Sequence, residues 1–359
     1  MKKWLLCLLL ALVVLTAPAL AAEVPEELTD ALPREASELL RDTDLQDGQG
    51  FQSGVTSILD KVSGEIGDIL RERVRGAAMV LLIVLLCGVV DGARQGVGDA
   101  GVDLMPLAGA LSVTMASAGS LDSLMGLGAG TIDTMSVFSK VLLPTLAAAT
   151  ASAGALGTAT VQQVTTVFFV DLLLQLIHGL LLPLAYLYIG VLTAGAMLSD
   201  GRLSSLAEML KKAVTWTLSA SLIVFTVYLS IARVISGSAD SAAVKVAKAA
   251  ISGTVPVVGG ILSDAAETVL AGAGLLKNTI GVFGLLAVLA ICALPFLQLG
   301  IQYLLYKLAA FLAGTMGPPG LCKLIDGLAG AFGLILGMTG TCALLLLVSI
   351  LSSIAAVVP

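Results

Sequence analysis

Long apolar runs limit what this chain can fold into. Val164–Leu198 and Ile280–Leu312 are almost entirely apolar over more than thirty residues each, and Ala213–Ile235 is a further run of spanning length. A helix needs about 20 apolar residues to cross a bilayer. Hydrophobic residues make up 57% of the chain and charged residues 12%, against about 45–50% and about 25% in soluble proteins. The sequence therefore predicts an all-α, multi-pass membrane protein with about six to eight spans.

The N-terminus has the layout of a secretory signal peptide over residues 1–22. Two lysines precede an apolar core, and an Ala-Leu-Ala sequence that ends at Ala21 offers a cleavage site. We expect residues 23–75 to form an acidic, exported helical region after cleavage. Residues 23–70 hold twelve acidic against three basic side chains, a balance of −9. Such a charge disfavours nucleic-acid binding.

An amphipathic helix is predicted within the exported region. Its apolar side chains recur at helical spacing and form one continuous stripe. About fifty residues bury little surface by themselves, so the stripe needs a partner. The bilayer surface, the rest of this chain and another protein all remain candidates for that partner. The stripe consists of Phe51, Val55, Ile58, Leu59, Val62, Ile66, Ile69 and Leu70.

The polytopic membrane domain is expected to cover residues 76–359. Its first apolar run, Gly76–Val90, is shorter than a full span, and three arginines precede it on the exported side, against the positive-inside tendency. Either this helix does not span simply, or the signal peptide stays attached. The following region is rich in small residues, which suit close helix packing. There we predict two spans, Leu104–Gly119 and Val137–Leu156, joined by a loop.

Val164–Leu198 is long enough for a helical hairpin that turns at Pro183, or for one long kinked helix. In its first half Asp171, Gln175 and His178 lie within about 60° of one helical face. A charge inside a membrane is costly, so we expect this stripe to face the helix bundle or water. We favour hydrogen bonding between helices over a proton or ion path as its role.

Polar, glycine-broken sequence interrupts the apolar pattern at Lys245–Gly281. Pro256 predicts a break in the helix, and Asp264 and Glu267 share one helical face beyond it. Irregular backbone and ionisable groups at membrane depth are tolerated where protein or water covers them. We expect this broken-helix motif to serve packing and assembly. Its candidate residues are Pro256, Gly259, Gly260, Asp264, Glu267, Lys277, Asn278 and Gly281.

The C-terminal third predicts a tightly packed hairpin. We expect Pro295 to interrupt Ile280–Leu312, and Gly314–Gly320 to form a turn. In the final run five glycines share one face, and Gly333 and Gly337 form a GxxxG pair. Because this motif is common, we interpret it as packing within the chain rather than as a homodimer contact.

The sequence contains no recognisable set of catalytic residues. One of the five cysteines, Cys7, lies in the predicted signal peptide, and the other four lack CxxC spacing and are interpreted as small buried side chains. Metal-ligand clusters, a phosphate-binding loop and a nucleophile elbow are all missing from the sequence. We therefore expect no enzyme activity, metal or cofactor, and membrane lipid as the surroundings.

The strings VPVVGGILSDAAETV and LLKNTIG, both within Lys245–Gly281, resemble the stage III sporulation protein AE family. The resemblance implies a component of the complex of stage III sporulation A proteins in the mother-cell membrane around the forespore. That complex is expected to join stage II sporulation protein Q in a secretion-like channel needed for forespore development. It also implies that an ATPase subunit of the complex supplies energy.

The alternative hypothesis is a self-contained secondary transporter or ion permease. It rests on the polar stripe that begins at Asp171 and on the broken helix that carries Asp264 and Glu267. Broken helices of this kind build ligand sites at the bilayer midplane of transporters. The hydropathy pattern shows no clear internal repeat, which counts mildly against this hypothesis.

Overall fold

Long helices account for nearly all of the chain that the computed structural model describes. In order along the chain, that part comprises residues 24–40, 50–95, 105–153, 156–198, 201–254 and 259–354. The predicted signal peptide, residues 1–22, lies outside the described residues. The helices are α1 (Glu26–Asp30), α2 (Arg34–Leu40), α3 (Gly50–Gln95), α4 (Met105–Ser152), α5 (Leu156–Leu176), α6 (Leu182–Leu198), α7 (Gly201–Thr254), α8 (Gly259–Met316) and α9 (Pro319–Ile354).

Within the described ranges, six helical segments are long and apolar enough to cross a membrane. The prediction of an all-α chain with about six to eight candidate spans is confirmed at its lower bound. These segments contain 31 to 47 residues, or about 45–70 Å at 1.5 Å per residue. Because the hydrocarbon of a bilayer is about 30 Å thick, the helices extend beyond it.

The two spans predicted between residues 104 and 157 are wrong, because α4 is one continuous helix. The small residues of this helix do not interrupt it. They let neighbouring helices pack closely against it instead. A Cβ at Gly128 would lie 2.3 Å from Cγ2 of Ile335 in α9. Similarly, α3 runs without interruption from the amphipathic segment through Gly76–Val90. The short apolar run thereby gains the length that a span requires.

The hairpin predicted as one alternative for Val164–Leu198 is also wrong. A π-helical turn at Ile177–Leu181 joins α5 directly to α6, so this region follows the long-helix alternative. Such a wider turn accommodates Pro183, which lacks a backbone N–H. The basic segment after Leu198 is mostly helical as well, because α7 already begins at Gly201.

Pro295 does not interrupt the next apolar run, contrary to the prediction, since α8 continues through it to Met316. Neighbouring helices compensate for such prolines inside membrane bundles. The predicted turn is confirmed: α8 ends at Met316 and α9 begins at Pro319. The N–H of Gly317 donates a hydrogen bond to the carbonyl of Ala313 over 2.7 Å.

The α8–α9 hairpin forms the centre of the bundle. Helices α3, α4 and α7 contact α8, while α4, α5, α6 and α7 contact α9. The rings of Tyr306 in α8 and Phe332 in α9 are both fully buried and meet edge to face, with centroids 5.1 Å apart. The hairpin is therefore surrounded by the other long helices.

The C-terminal ends of α6 and α8 and the N-terminal ends of α7 and α9 meet at one end of the bundle. A Cβ at Gly320 would lie 4.0 Å from the carbonyl oxygen of Ala196. We call this the turn end. At the opposite end, the hydroxyls of Thr150 in α4 and Ser353 in α9 are 3.0 Å apart.

Helices α1 and α2 pack against the long helices. Leu28 and Ala36 are buried, and α2 contacts α8 and α3. The Lys61 ammonium donates a hydrogen bond to the carbonyl of Glu38 over 2.6 Å. In the amphipathic segment, Ile58 is buried whereas Leu59 is 60% exposed. The rest of the chain therefore covers only part of the apolar stripe.

Candidate functional site

The broken-helix motif is described only in part. Pro256 lies outside the described residues, between the last residue of α7, Thr254, and the first residue of α8, Gly259. The first turns of α8 contain Gly259, Gly260, Asp264 and Glu267, of which the backbone alone is described. The predicted role of their side chains stays a prediction.

The last part of the motif packs α8 against the end of α9. The Lys277 side chain is buried, and Asn278 is exposed. A Cβ at Gly281 would lie 2.4 Å from Cγ1 of Ile354. This position therefore needs a residue without a side chain, because the two helices approach each other there.

The predicted polar stripe lies at the surface of the bundle. Asp171 is half-buried, whereas Gln175 and His178 are exposed. His178 reaches to α4, where its Nε2 lies 3.0 Å from Oδ1 of Asp133. The structure thus joins His178 to a carboxylate that the sequence had placed in a loop. This pair links two neighbouring helices.

The glycines of α9 contact helices of this same chain. A Cβ at Gly333 would lie 3.3 Å from the Tyr303 ring, and one at Gly337 would lie 3.8 Å from Leu218. Gly327 is tighter, because a Cβ there would lie 2.3 Å from Leu192 of α6. The closest approach on this face is therefore six residues before the GxxxG pair, nearly two turns away.

A polar row on α8, half-buried at Gln298 and buried at Gln302 and Tyr306, was missed in the sequence. Gln298, Gln302 and Tyr306 are spaced four residues apart and lie on one helical face. Arg73 of α3 donates a hydrogen bond from Nη2 to Oε1 of Gln298 over 3.2 Å. The Tyr306 hydroxyl donates to Oγ of Ser117 in α4 over 3.0 Å. This spacing within an apolar run was the available signal, and the row joins α8 to α3 and α4.

Hydroxyl contacts join further pairs of helices. Thr166 in α5 and Ser349 in α9 are 2.7 Å apart, and Thr114 in α4 and Thr193 in α6 are 3.3 Å apart. Hydrogen bonds between Ser and Thr side chains are typical of helix packing in membranes. The polar atoms of these four residues therefore serve to join helices.

A charged cleft opens at the turn end, between α6, α7, α8 and α9. Its volume is about 1190 Å³. The Lys307 ammonium donates a hydrogen bond to Oδ1 of Asp326 over 2.5 Å, and the Tyr188 hydroxyl donates to the carbonyl of Gly327 over 2.8 Å. The charged residues of the cleft are Glu208, Lys211, Lys212, Lys307, Lys323 and Asp326.

No group of three or more potential metal ligands occurs among the residues that the structure describes. Within the same ranges, Cys87, Cys292 and Cys342 are buried free thiols and Cys322 is a half-buried one. These thiols lie in or beside apolar helices, where cysteine packs as a small hydrophobic residue. The described polar groups thus form contacts between helices and one charged cleft.

In the part of the chain that the structure describes, six long apolar helical segments joined by buried polar contacts indicate a helical membrane protein. A family model described as stage III sporulation protein AE matches residues 38–357. The chain therefore belongs to the stage III sporulation protein AE family. This is a family of structural sporulation proteins and not a known enzyme family.

A relative supports the same assignment. The chain is 28% identical over 186 residues to the stage III sporulation protein AE of Bacillus subtilis (strain 168). The match covers 52% of this chain and 47% of the relative, so it spans about half of the relative's length. No solved structure matches the chain.

Proposed function

We propose that the protein is a multi-pass component of the stage III sporulation A complex, with a structural or channel-forming role needed for forespore development. The family match over residues 38–357 carries this proposal. The partners would be the other stage III sporulation A proteins and stage II sporulation protein Q. The complex would lie in the mother-cell membrane that surrounds the forespore and form a secretion-like channel.

Exposed apolar surface supports an assembly role. In the most apolar windows of α3, of α5–α6 and of α7, only 22% of the residues are buried within the chain. Much of this surface would contact lipid. Helices longer than the bilayer also carry apolar faces beyond it, and those faces are available to partner proteins.

The amphipathic segment of α3 offers the most specific docking surface. Ile58 and Ile69 are buried within the chain, whereas Leu59 and Ile66 are 60% and 40% exposed. One side of the segment is therefore held in place while the other presents apolar side chains. This arrangement suits a helix that docks a second protein.

The first test is affinity purification of the tagged protein from gently solubilised membranes of sporulating cells. We expect other stage III A proteins to be recovered with it. The double variant Leu59→Gln/Ile66→Gln should remain folded and recover several-fold less of them. The matched control is Asp60→Gln/Arg71→Gln, which keeps the net charge, since both residues are exposed on the same helix and lie about 100–140° around its axis from Leu59 and Ile66.

Recovery of the protein alone, as a stable monomer or homodimer, would contradict the assembly proposal. Equal recovery of partners with both double variants would retain the assembly and reject this surface as the docking site. The two outcomes are distinguishable because the wild-type protein is measured in the same experiment.

A secondary transporter or ion permease is the second candidate. It is favoured by the surface pair of His178 and Asp133, close to Asp171 on the same stretch of helix. Ionisable groups in membrane helices often mark ion pathways. In a carrier, Asp171→Asn and Glu267→Gln should abolish uptake into proteoliposomes. In a scaffold, both substitutions should be tolerated, because the amide retains hydrogen-bonding capacity.

A further inference from the structure

We propose that the charged cleft at the turn end binds the phosphate headgroup of an anionic phospholipid. The first argument is charge. Four lysines and two carboxylates line the cleft, which has a net charge of +2. Lys307 is neutralised by Asp326, while the structure records no ion pair for Lys211, Lys212 or Lys323 with any described residue. Three ammonium groups, offset in charge by Glu208 alone, therefore remain for an anion.

The second argument is the depth of the cleft in the membrane. It opens where four membrane helices begin or end, and the exposed side chains of Trp216 and Phe311 line it. Aromatic residues beside lysines are typical of the boundary between the hydrocarbon and the headgroups. Basic pockets between membrane helices at this level bind acidic lipid headgroups.

The shape and lining of the cleft favour a lipid over a free phosphate ion. The cleft has a volume of about 1190 Å³ and is open to the surface of the bundle, so a long molecule can enter it from the side. Leu192, Trp216 and Phe311 supply apolar walls beside the lysines. A molecule with a phosphate at one end and a hydrocarbon chain at the other would contact both kinds of surface.

The glycine face of α9 helps to hold one of the lysines in the cleft. A Cβ at Gly330 would lie 3.0 Å from Nζ of Lys211 and 2.8 Å from the Tyr188 hydroxyl. The absence of a side chain at Gly330 therefore lets Lys211 lie against α9. This contact positions the ammonium group between α7 and α9.

The carboxylates narrow the class of lipid. Glu208 and Asp326 line the same cleft, and ionised carboxylates accept hydrogen bonds but do not donate them. A headgroup that carries hydroxyls as well as a phosphate would satisfy the lysines and these acceptors together. Phosphatidylglycerol has this chemistry and is the appropriate probe.

The test measures lipid binding to the full-length protein by native mass spectrometry from detergent. Phosphatidylglycerol, phosphatidylcholine and inorganic phosphate are titrated separately. We expect phosphatidylglycerol to bind, and Lys211→Gln and Lys323→Gln each to weaken its binding roughly fivefold, as one basic residue contributes at a membrane surface. Lys323→Arg should retain binding. The matched control is Lys140→Gln, which removes an exposed lysine of α4 outside the cleft.

Equal phosphatidylglycerol affinity in the cleft variants and in Lys140→Gln would overturn the proposal. Equal binding of phosphatidylcholine would overturn it too, because the cleft would then not select an anion. Binding of inorganic phosphate without phosphatidylglycerol would identify a free anion as the ligand and reject the lipid. The assay needs no sporulation partner, so its result is separate from the assembly proposal.

Discussion

The α8–α9 hairpin and the outer helices have similar apolar character but very different surroundings. In the most apolar windows of α8 and α9, 67% and 61% of the residues are buried, against 22% in α3, in α5–α6 and in α7. Hydropathy selects all of these helices for the membrane and separates the centre only slightly, with mean hydropathies of 2.6 and 2.4 for α8 and α9 against 2.3, 2.0 and 1.7 for the outer three. Packing within the chain makes that distinction.

Glycine positions show how the distinction arises. In the central contacts, a Cβ at Gly128 or Gly281 would lie within 2.4 Å of a side chain on α9. On the outer helix α3, no atom lies within 4 Å of a Cβ built at Gly64 or Gly67. Glycine permits close helix approach only where a partner helix is present. The same residue type therefore has different consequences from position to position, since a Cβ at Gly300 of the central helix α8 would also meet nothing within 4 Å.

Removal of an aromatic ring from the α8–α9 centre should have the largest effect on the stability of the fold. Phe332 is fully buried against Tyr306, so Phe332→Ala should lower the free energy of unfolding by about 3–5 kcal/mol. The matched control, Phe168→Ala on α5, removes a ring that is 60% exposed, and should cost less than about 0.5 kcal/mol. Thermal unfolding of the detergent-solubilised variants measures both. Equal losses would contradict the division into a centre and an outer layer.

Overpacking should have the next largest effect. Gly128→Leu would force a side chain into Ile335, and should destabilise the protein by about 1–3 kcal/mol. Gly130→Leu, two residues along the same helix, places its Cβ in open space and should leave the unfolding temperature nearly unchanged. A small effect at both positions would show that α4 does not approach α9 as closely as described.

The polar contacts of the centre should contribute least. Tyr306→Phe and Ser117→Ala each remove one side of a buried hydrogen bond. A double-mutant cycle should give a coupling energy of about 0.6 kcal/mol, the average for hydrogen bonds between membrane helices. A coupling energy near zero would mean that this contact does not join α4 to α8 in the folded protein.

The sequence predicted the class of this protein better than its helix boundaries. Apolar run length identified an all-helical membrane chain, and the turn near Gly317 followed from glycine and proline. Pro295 was misread as an interruption, and the sequence left a hairpin and a long helix open at Pro183, of which the long helix forms. Neighbouring helices and a π turn accommodate these prolines. The region rich in small residues was divided in two, although close packing keeps it one helix.

The sequence allowed single residues of the candidate site to be predicted, but not the contacts between them. The polar stripe at Asp171 was found from its spacing, but its contact with Asp133 joins residues 45 positions apart. The row at Gln298, Gln302 and Tyr306 had a readable spacing. No pattern in the sequence identified its partners, Arg73 and Ser117. Charged residues of the cleft come from α7 and from both arms of the α8–α9 hairpin, about a hundred positions further along the chain. No local pattern brings them together.

The sequence by itself determined the solvent of this protein, its helical backbone and its family motif, because run length, composition and residue strings are local properties. Only the tertiary structure decided that α8 and α9 form the centre and that three separate helices build one charged cleft. The physical reason is that lipid and protein interiors are similarly apolar. Helix association therefore depends on the fit of particular surfaces rather than on hydropathy.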